Sequence, residues 1–234
     1  VSLDILCVTK GEEHAERFIQ AMEDAALVLG AGMAVCFDGL VSVETAPWVR
    51  RHQVATDGTI ESVLDEAIDH CQAQFILRLD DDERMTPAMV AWLRTGEWAT
   101  EPLWAFPRLN LWGDEEHFIK ADPLYPDLQT RLSTREKAGG RKNVHDGSPF
   151  GTGRIAPVGI EHHKFLVRDR AARLEIARRY ETVRPGAGVG PHFVAFNLPE
   201  VYYGAQNPMV ADESQVIYYE PQVPSSLLAR VVAL

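Results

Sequence analysis

The segment from Leu3 to Val8 is apolar apart from Asp4 and ends in Thr9-Lys10, the pattern of a strand buried in a sheet. From Glu12 the spacing changes: Ala15, Phe18, Ile19, Met22, Ala25, Ala26 and Leu29 recur at helical intervals until Gly30 and Gly32 end the run. Met33 to Phe37 is a second strand, closed by Asp38-Gly39. Ile60, Val63, Leu64, Ala67, Ile68 and Cys71 make another stripe, which predicts a helix between Thr59 and Gln74 feeding a strand at Phe75 to Leu79. Thr86-Pro87 then supplies the cap and first turn of a short helix through Leu93.

Strand, helix, strand, helix, strand implies an α/β fold: a mostly parallel sheet flanked by helices, which binds ligands beyond the carboxyl ends of its strands. Thr9, Asp38 and Asp80 all fall at such ends. After Trp104 shorter extended pieces, 104–112 and 118–120 with a turn at Gly113-Asp114, predict a smaller antiparallel part. A strand ends near His162-His163, and a last helix spans about Arg168 to Tyr180. The division expected is one domain over 1–183, with 184–234, rich in Pro, Gly and aromatics, as a lid or wrapping segment on the same domain.

Composition narrows the class. With 46% hydrophobic and 24% charged residues among 234, the chain can bury a full core. A formal net charge of -11 argues against a surface that tracks nucleic acid throughout. Cys7, Cys36 and Cys71 lack CxxC spacing and sit in apolar stretches, so they read as buried thiols rather than a disulfide frame or zinc site. No stretch reaches the roughly 18 apolar residues of a membrane span, and the start lacks the zones of a signal peptide, which predicts a cytoplasmic protein.

The sharpest chemical signal is Leu79-Asp80-Asp81-Asp82-Glu83. Three aspartates in succession at the end of a buried strand repel one another, a cost that a cation commonly offsets. Mg2+ or Mn2+ takes one or two carboxylates together with substrate phosphates, and residues i and i+2 can turn to one side, which selects Asp80 and Asp82. The bland alternative is a solvated acidic loop before the helix at Pro87.

Further runs follow in order: Tyr125-Pro126-Asp127-Leu128-Gln129-Thr130-Arg131-Leu132, then Val144-His145-Asp146, with Thr9-Lys10-Gly11-Glu12 near the start. Together with the acidic run these resemble the family 2 glycosyltransferases of the GT-A fold, over roughly Ser2 to Tyr180. The resemblance implies a Rossmann-like nucleotide-binding half and an inverting transfer from a nucleoside-diphosphate sugar to an acceptor hydroxyl. Thr9, Glu12 and Asp38 would line the nucleotide pocket, with Asp81 turned from the metal toward the donor, and Arg131 would meet the diphosphate. Asp146, where the family has Glu, would be the general base. Asp80 and Asp82 would carry Mn2+ or Mg2+, with His162, or less favourably His145, completing the shell. The acceptor is open: a glycan, a lipid-linked saccharide, a protein or a modified nucleic acid.

Charge is uneven. From Arg131 to Arg184 thirteen basic residues stand against six acidic ones, a net of +7 that leaves -18 elsewhere. Such a segment suits an anionic acceptor or is simply a solvated helix face. Two other functions compete with glycosyl transfer. A sugar nucleotidyltransferase would want a Gly-rich basic loop after the first strand, unlike Gly11-Glu12-Glu13; a non-catalytic nucleotide-sugar-binding protein would keep the pocket without the chemistry.

Overall fold

A computed structural model describes residues 1–39, 43–120, 124–139 and 153–183, and the backbone of Val216–Tyr218. β1 (Leu3–Thr9) is buried along its whole length because it is central, paired in parallel with β2 (Gly32–Asp38) on one side and β4 (Phe75–Asp80) on the other. Between β1 and β2, α1 (Ala15–Leu29) buries Phe18, Ile19, Met22 and Ala26, the predicted stripe. It stops where Gly30 takes φ 62° and turns its N–H back onto the carbonyls of Ala26 and Leu27. α3 (Pro87–Thr95) is capped by Thr86, whose Oγ1 accepts from the Met89 N–H at 3.0 Å.

Two expectations need correction. The helix predicted over Thr59–Gln74 is a 3-10 turn, Ile60–Val63, followed by a short α2 (Leu64–Asp69). It ends early because Asp4 on β1 captures the backbone N–H groups of Gln72 (2.5 Å) and Ala73 (2.9 Å), drawing the chain out of the helix. Beside β2 lies a strand the pattern did not predict, β3 (Arg50–Val54). Arg-Arg-His-Gln-Val does not read as a strand by hydrophobicity; it is a charged edge, where polar residues discourage pairing with another chain.

The sheet runs β3-β2-β1-β4-β8-β6-β10-β5. Here β5 is Glu83–Met85, β6 Leu103–Asn110, β8 Asp127–Thr134, followed by a single turn α4 (Arg135–Ala138), and β10 Ile160–His162; β7 (His117–Ile119) lies outside this path, and the short β9 (Arg154–Ile155) pairs with β6. The first four strands are parallel, and β8 opens the antiparallel part. One core packs α1 and α3 on one face, and a second, with Leu6, Val8, Cys36, Ile76, Leu64 and Ala67, packs α2 on the other. All three cysteines are buried and free. This is the expected Rossmann-like, GT-A type α/β sheet. Among the described residues no helix is long and apolar enough to cross a membrane.

The acidic run dictates the sheet's shape. Asp80 ends β4 and Glu83 begins β5, yet the two strands are four places apart in the sheet. In a flat sheet that is about 19 Å, at about 4.8 Å per strand. The chain from Asp80 to Glu83 reaches about 11 Å at most. The sheet therefore curls around Asp81 and Asp82, and β8, β6 and β10 bring side chains in toward them.

The C-terminal helix α6 (Arg170–Val183) begins two residues later and ends three residues later than predicted. From the tail, β11 (Val216–Tyr218) pairs antiparallel with β7; the rest of the predicted lid lies outside the described residues.

Candidate active site

The topological switch lies between β1 and β4: the chain leaves β1 toward β2 and β3, then returns to β1's other side as β4. Ligands of such sheets sit at that point, beyond the strand ends. Thr9 and Asp81 meet there, the Thr9 hydroxyl donating to Asp81 Oδ2 at 2.6 Å. Lys10 Nζ reaches Asp38 Oδ2 at 3.6 Å, and Asp38 also accepts from both the N–H and the hydroxyl of Thr56. Burial works against the Asp38 charge, but these donors hold its carboxyl below the usual range. Thr9, Asp38 and Asp81 thus lie at neighbouring strand ends. Lys10 and Thr56 join them; the spacing alone gave neither a role.

The four acids part company. Asp80 and Asp82 were expected to face one way, but a turn at 81–82 breaks the strand alternation. Asp80 Oδ2 accepts from Arg131 at 2.5 Å, with Arg78 4.0 Å from Oδ1. Asp82 turns instead to Arg168 and His162. Glu83, fully buried, accepts from Arg131 at 2.7 Å, Arg108 at 3.4 Å and the Asp80 N–H at 3.1 Å. Burial pushes Glu83 well up, and Asp80 adds to it; burial raises Asp80 as well. Burial would also raise Asp82, but the Arg168 guanidinium holds it well below the usual carboxylate range. Much of the repulsion in the run is therefore offset by the protein's own arginines, one of which, Arg131, is 1% exposed at its side chain and grips Asp80 and Glu83.

His162 is the second residue of interest. Asn110 Nδ2 donates to the Leu124 carbonyl at 2.8 Å, which directs its Oδ1 to His162 Nδ1, 2.6 Å away. The proton then resides on Nδ1, and Nε2 presents a lone pair. That atom is buried, has no hydrogen-bond partner, and lies 3.5 Å from Asp82 Oδ1. Burial, reinforced by Arg108, pushes His162 down to about 3, so the imidazole is neutral. A carboxylate oxygen and an imidazole lone pair facing each other without a proton between them are groups that can hold a divalent cation. Among the described residues no group of three or more His, Cys, Asp or Glu is gathered around one point. The pair fits a cation that draws its remaining ligands from phosphate and water, the habit of Mg2+ and Mn2+.

At the C-terminal end of α5 (Lys164–Val167), Arg168 reaches Glu12, Asp81 and Asp82 together. No motif pointed to this residue. The far end of α6 approaches the rim, where Gly58, at φ 110°, lies against Arg179 and Val183. Tyr180 is pushed up to about 12 by burial and then by Glu61 and Asp80. His145 and Asp146 lie outside the described residues.

No family model and no curated protein matches the sequence. Solved structures do. Residues 1–349 of S. aureus TarS align over 85% of this chain and 70% of theirs, with 8% identity and a TM-score of 0.47. Rv0371C of Mycobacterium tuberculosis, in complex with manganese, aligns over 69% of this chain and 89% of its own, with 11% identity and a TM-score of 0.47. The bifunctional IspDF of Campylobacter jejuni covers 76% and 54% respectively, with 10% identity and a TM-score of 0.45.

Proposed function

We propose that the chain is an inverting glycosyltransferase that takes a sugar from a nucleoside-diphosphate donor with a divalent cation held at Asp82 and His162. The observation that carries this reading is the buried, unpartnered Nε2 of His162 facing Asp82 Oδ1 across 3.5 Å, beside the switch point of the parallel sheet. The ordered sequence runs that resemble the family supply the reaction type. Bound there, Mn2+ or Mg2+ would neutralise charge building on the departing diphosphate.

The chain's own residues do the rest. Lys10, Thr9 and Asp38 offer a donor-and-acceptor rim for the nucleoside. Arg131 grips Asp80 and Glu83 and orients the acidic run, and on this reading it supports the site from beneath instead of making the direct diphosphate contact first expected of it. Asp146 remains the proposed base that accepts the proton of the acceptor hydroxyl as it attacks the anomeric carbon. The net positive charge of the segment from 131 to 184 suits an anionic acceptor.

The test is a thermal-shift panel of nucleoside diphosphates and their sugars with and without Mn2+, followed by turnover assays. Stabilisation that needs both nucleotide and Mn2+, and turnover lost in Asp82→Ala, are expected. Metal-independent turnover, or turnover unchanged in Asp82→Ala, would sink this mechanism.

A further inference from the structure

Arg168 stands where α5 gives way to α6, its backbone extended (φ -125°, ψ 124°). Its side chain, 9% exposed, divides its nitrogens among three carboxylates: Nε on Glu12 Oε2 at 3.1 Å, Nη2 on Asp81 Oδ1 at 3.6 Å and Nη1 on Asp82 Oδ2. Glu12 belongs to the loop after β1, and Asp81 and Asp82 to the turn after β4. The guanidinium therefore bridges the loop after β1 and the turn after β4, across the switch point. Asp82 is shared: one oxygen takes Arg168 and the other faces the bare Nε2 of His162.

A divalent cation seated on Asp82 and His162 would share that carboxylate with a positive guanidinium. Like charges so close compete. An anion entering the crevice would, by contrast, find in Arg168 a planar fork matched to phosphate oxygens.

We infer that Arg168 is a resident counter-ion, which gives up Asp82 when a divalent cation binds and then pairs with the phosphates of the donor. The inference rests on the cation reading above, and the buried, unpartnered Nε2 of His162 beside Asp82 is the observation that supports a cation there. Cation and diphosphate are then coupled: each makes room for the other through one side chain, so that the acidic run is neutralised in both states.

Mn2+ binding, followed by electron paramagnetic resonance of the free ion, separates the possibilities without any turnover. Wild type, Asp82→Asn, Arg168→Gln and Arg168→Lys are titrated with MnCl2, with and without inorganic pyrophosphate. Arg168→Gln should bind Mn2+ alone roughly tenfold more tightly than wild type, the size expected of a lost competing ion pair. Pyrophosphate, which tightens Mn2+ binding by wild type, should do so several-fold less in this variant. Arg168→Lys keeps the charge but not the three-way fork; it should fall between the two, and it keeps the test available if Arg168→Gln does not fold. Equal or weaker Mn2+ binding by both Arg168 variants, with wild-type binding abolished by Asp82→Asn, overturns the inference and leaves the cation site standing. Absence of Mn2+ binding by wild type and all variants overturns the cation site itself, and this inference with it.

Discussion

Asp82 Oδ1 and His162 Nε2 are two buried acceptors 3.5 Å apart, and Asn110 is what makes the second of them an acceptor. Had Asn110 turned its amide nitrogen to the ring, the proton would sit on Nε2 and the pair would be an ordinary hydrogen bond. The Leu124 carbonyl prevents that by engaging the nitrogen. Partners that fix a histidine's tautomer commonly matter about 10- to 100-fold in metal affinity. His162→Ala should therefore remove measurable Mn2+ binding, while Asn110→Ala should weaken it about tenfold with the fold intact, as read by calorimetric titration. Unaltered affinity in both would place the cation elsewhere.

Gly32 and Asp4 form the tightest packing constraint at the far end of the sheet. A Cβ added at Gly32 would lie 2.1 Å from Asp4 Oδ1 and 3.2 Å from Arg50 Nη2. Asp4 is nearly buried and cannot swing aside without surrendering Arg50, at 2.7 Å, and the N–H groups of Gln72 and Ala73. Gly32→Ala should cost about 1 to 3 kcal/mol through overpacking. For a chain of this size that is a fall of about 2 to 10 °C in Tm. Melting followed by circular dichroism checks it; an unchanged Tm would show that β2 shifts freely against β1.

The parallel core was legible because its strands and helices are patterned by burial alone. Leu3 to Thr9 and the α1 stripe have no other interpretation, and Asp80 was placed at a strand end for the same reason. Strand β3 was not legible, since Arg50 to Val54 owes its conformation to pairing with β2 and not to its own composition. The curl of the sheet was hidden because it follows from strand order, a long-range property. Within the site, the motif gave the acids but not their partners. Asp82 was expected to share a direction with Asp80 by strand alternation, and the turn at 81–82 undid that. Arg168 had no signal beyond its place in a basic segment, because its role depends on Glu12, 156 positions away.

Thr9 and Asp81 provide a direct check on the rim. The 2.6 Å hydrogen bond ties the end of β1 to the acidic turn across the switch point. Thr9→Val keeps the shape and removes the donor, and a part-buried hydrogen bond to a charged group is worth about 1.5 to 3 kcal/mol. Nucleotide affinity should drop several-fold or more while Mn2+ affinity changes little, because Asp81 does not face His162. An equal loss of both, in parallel titrations, would mean that Asp81 itself serves the cation.

His52 and His70 stack with ring centroids 3.5 Å apart and planes 7° from parallel, on the β3 edge and at the end of α2. Burial first, then His70 and Arg50, push His52 below its ordinary 6.5. The unfolded chain therefore binds a proton that the folded chain refuses. Stability from this source is complete above about pH 7 and declines as pH falls below 6.5 toward the folded-state value. His162, lowered to about 3, adds to the slope in the same window. Asp4, whose folded-state carboxyl is depressed, contributes in the acid range below about 4 and is thus separable. Each histidine supplies at most about 1.4 kcal/mol per pH unit. His52→Phe keeps an aromatic ring over His70 and removes the proton, so urea unfolding between pH 7.5 and 5.5 should show a shallower loss of stability than wild type. A slope as steep as wild type in that variant would leave the stacked pair electrostatically silent and assign the effect to other groups, the buried cluster of His162, Asp80 and Glu83 among them.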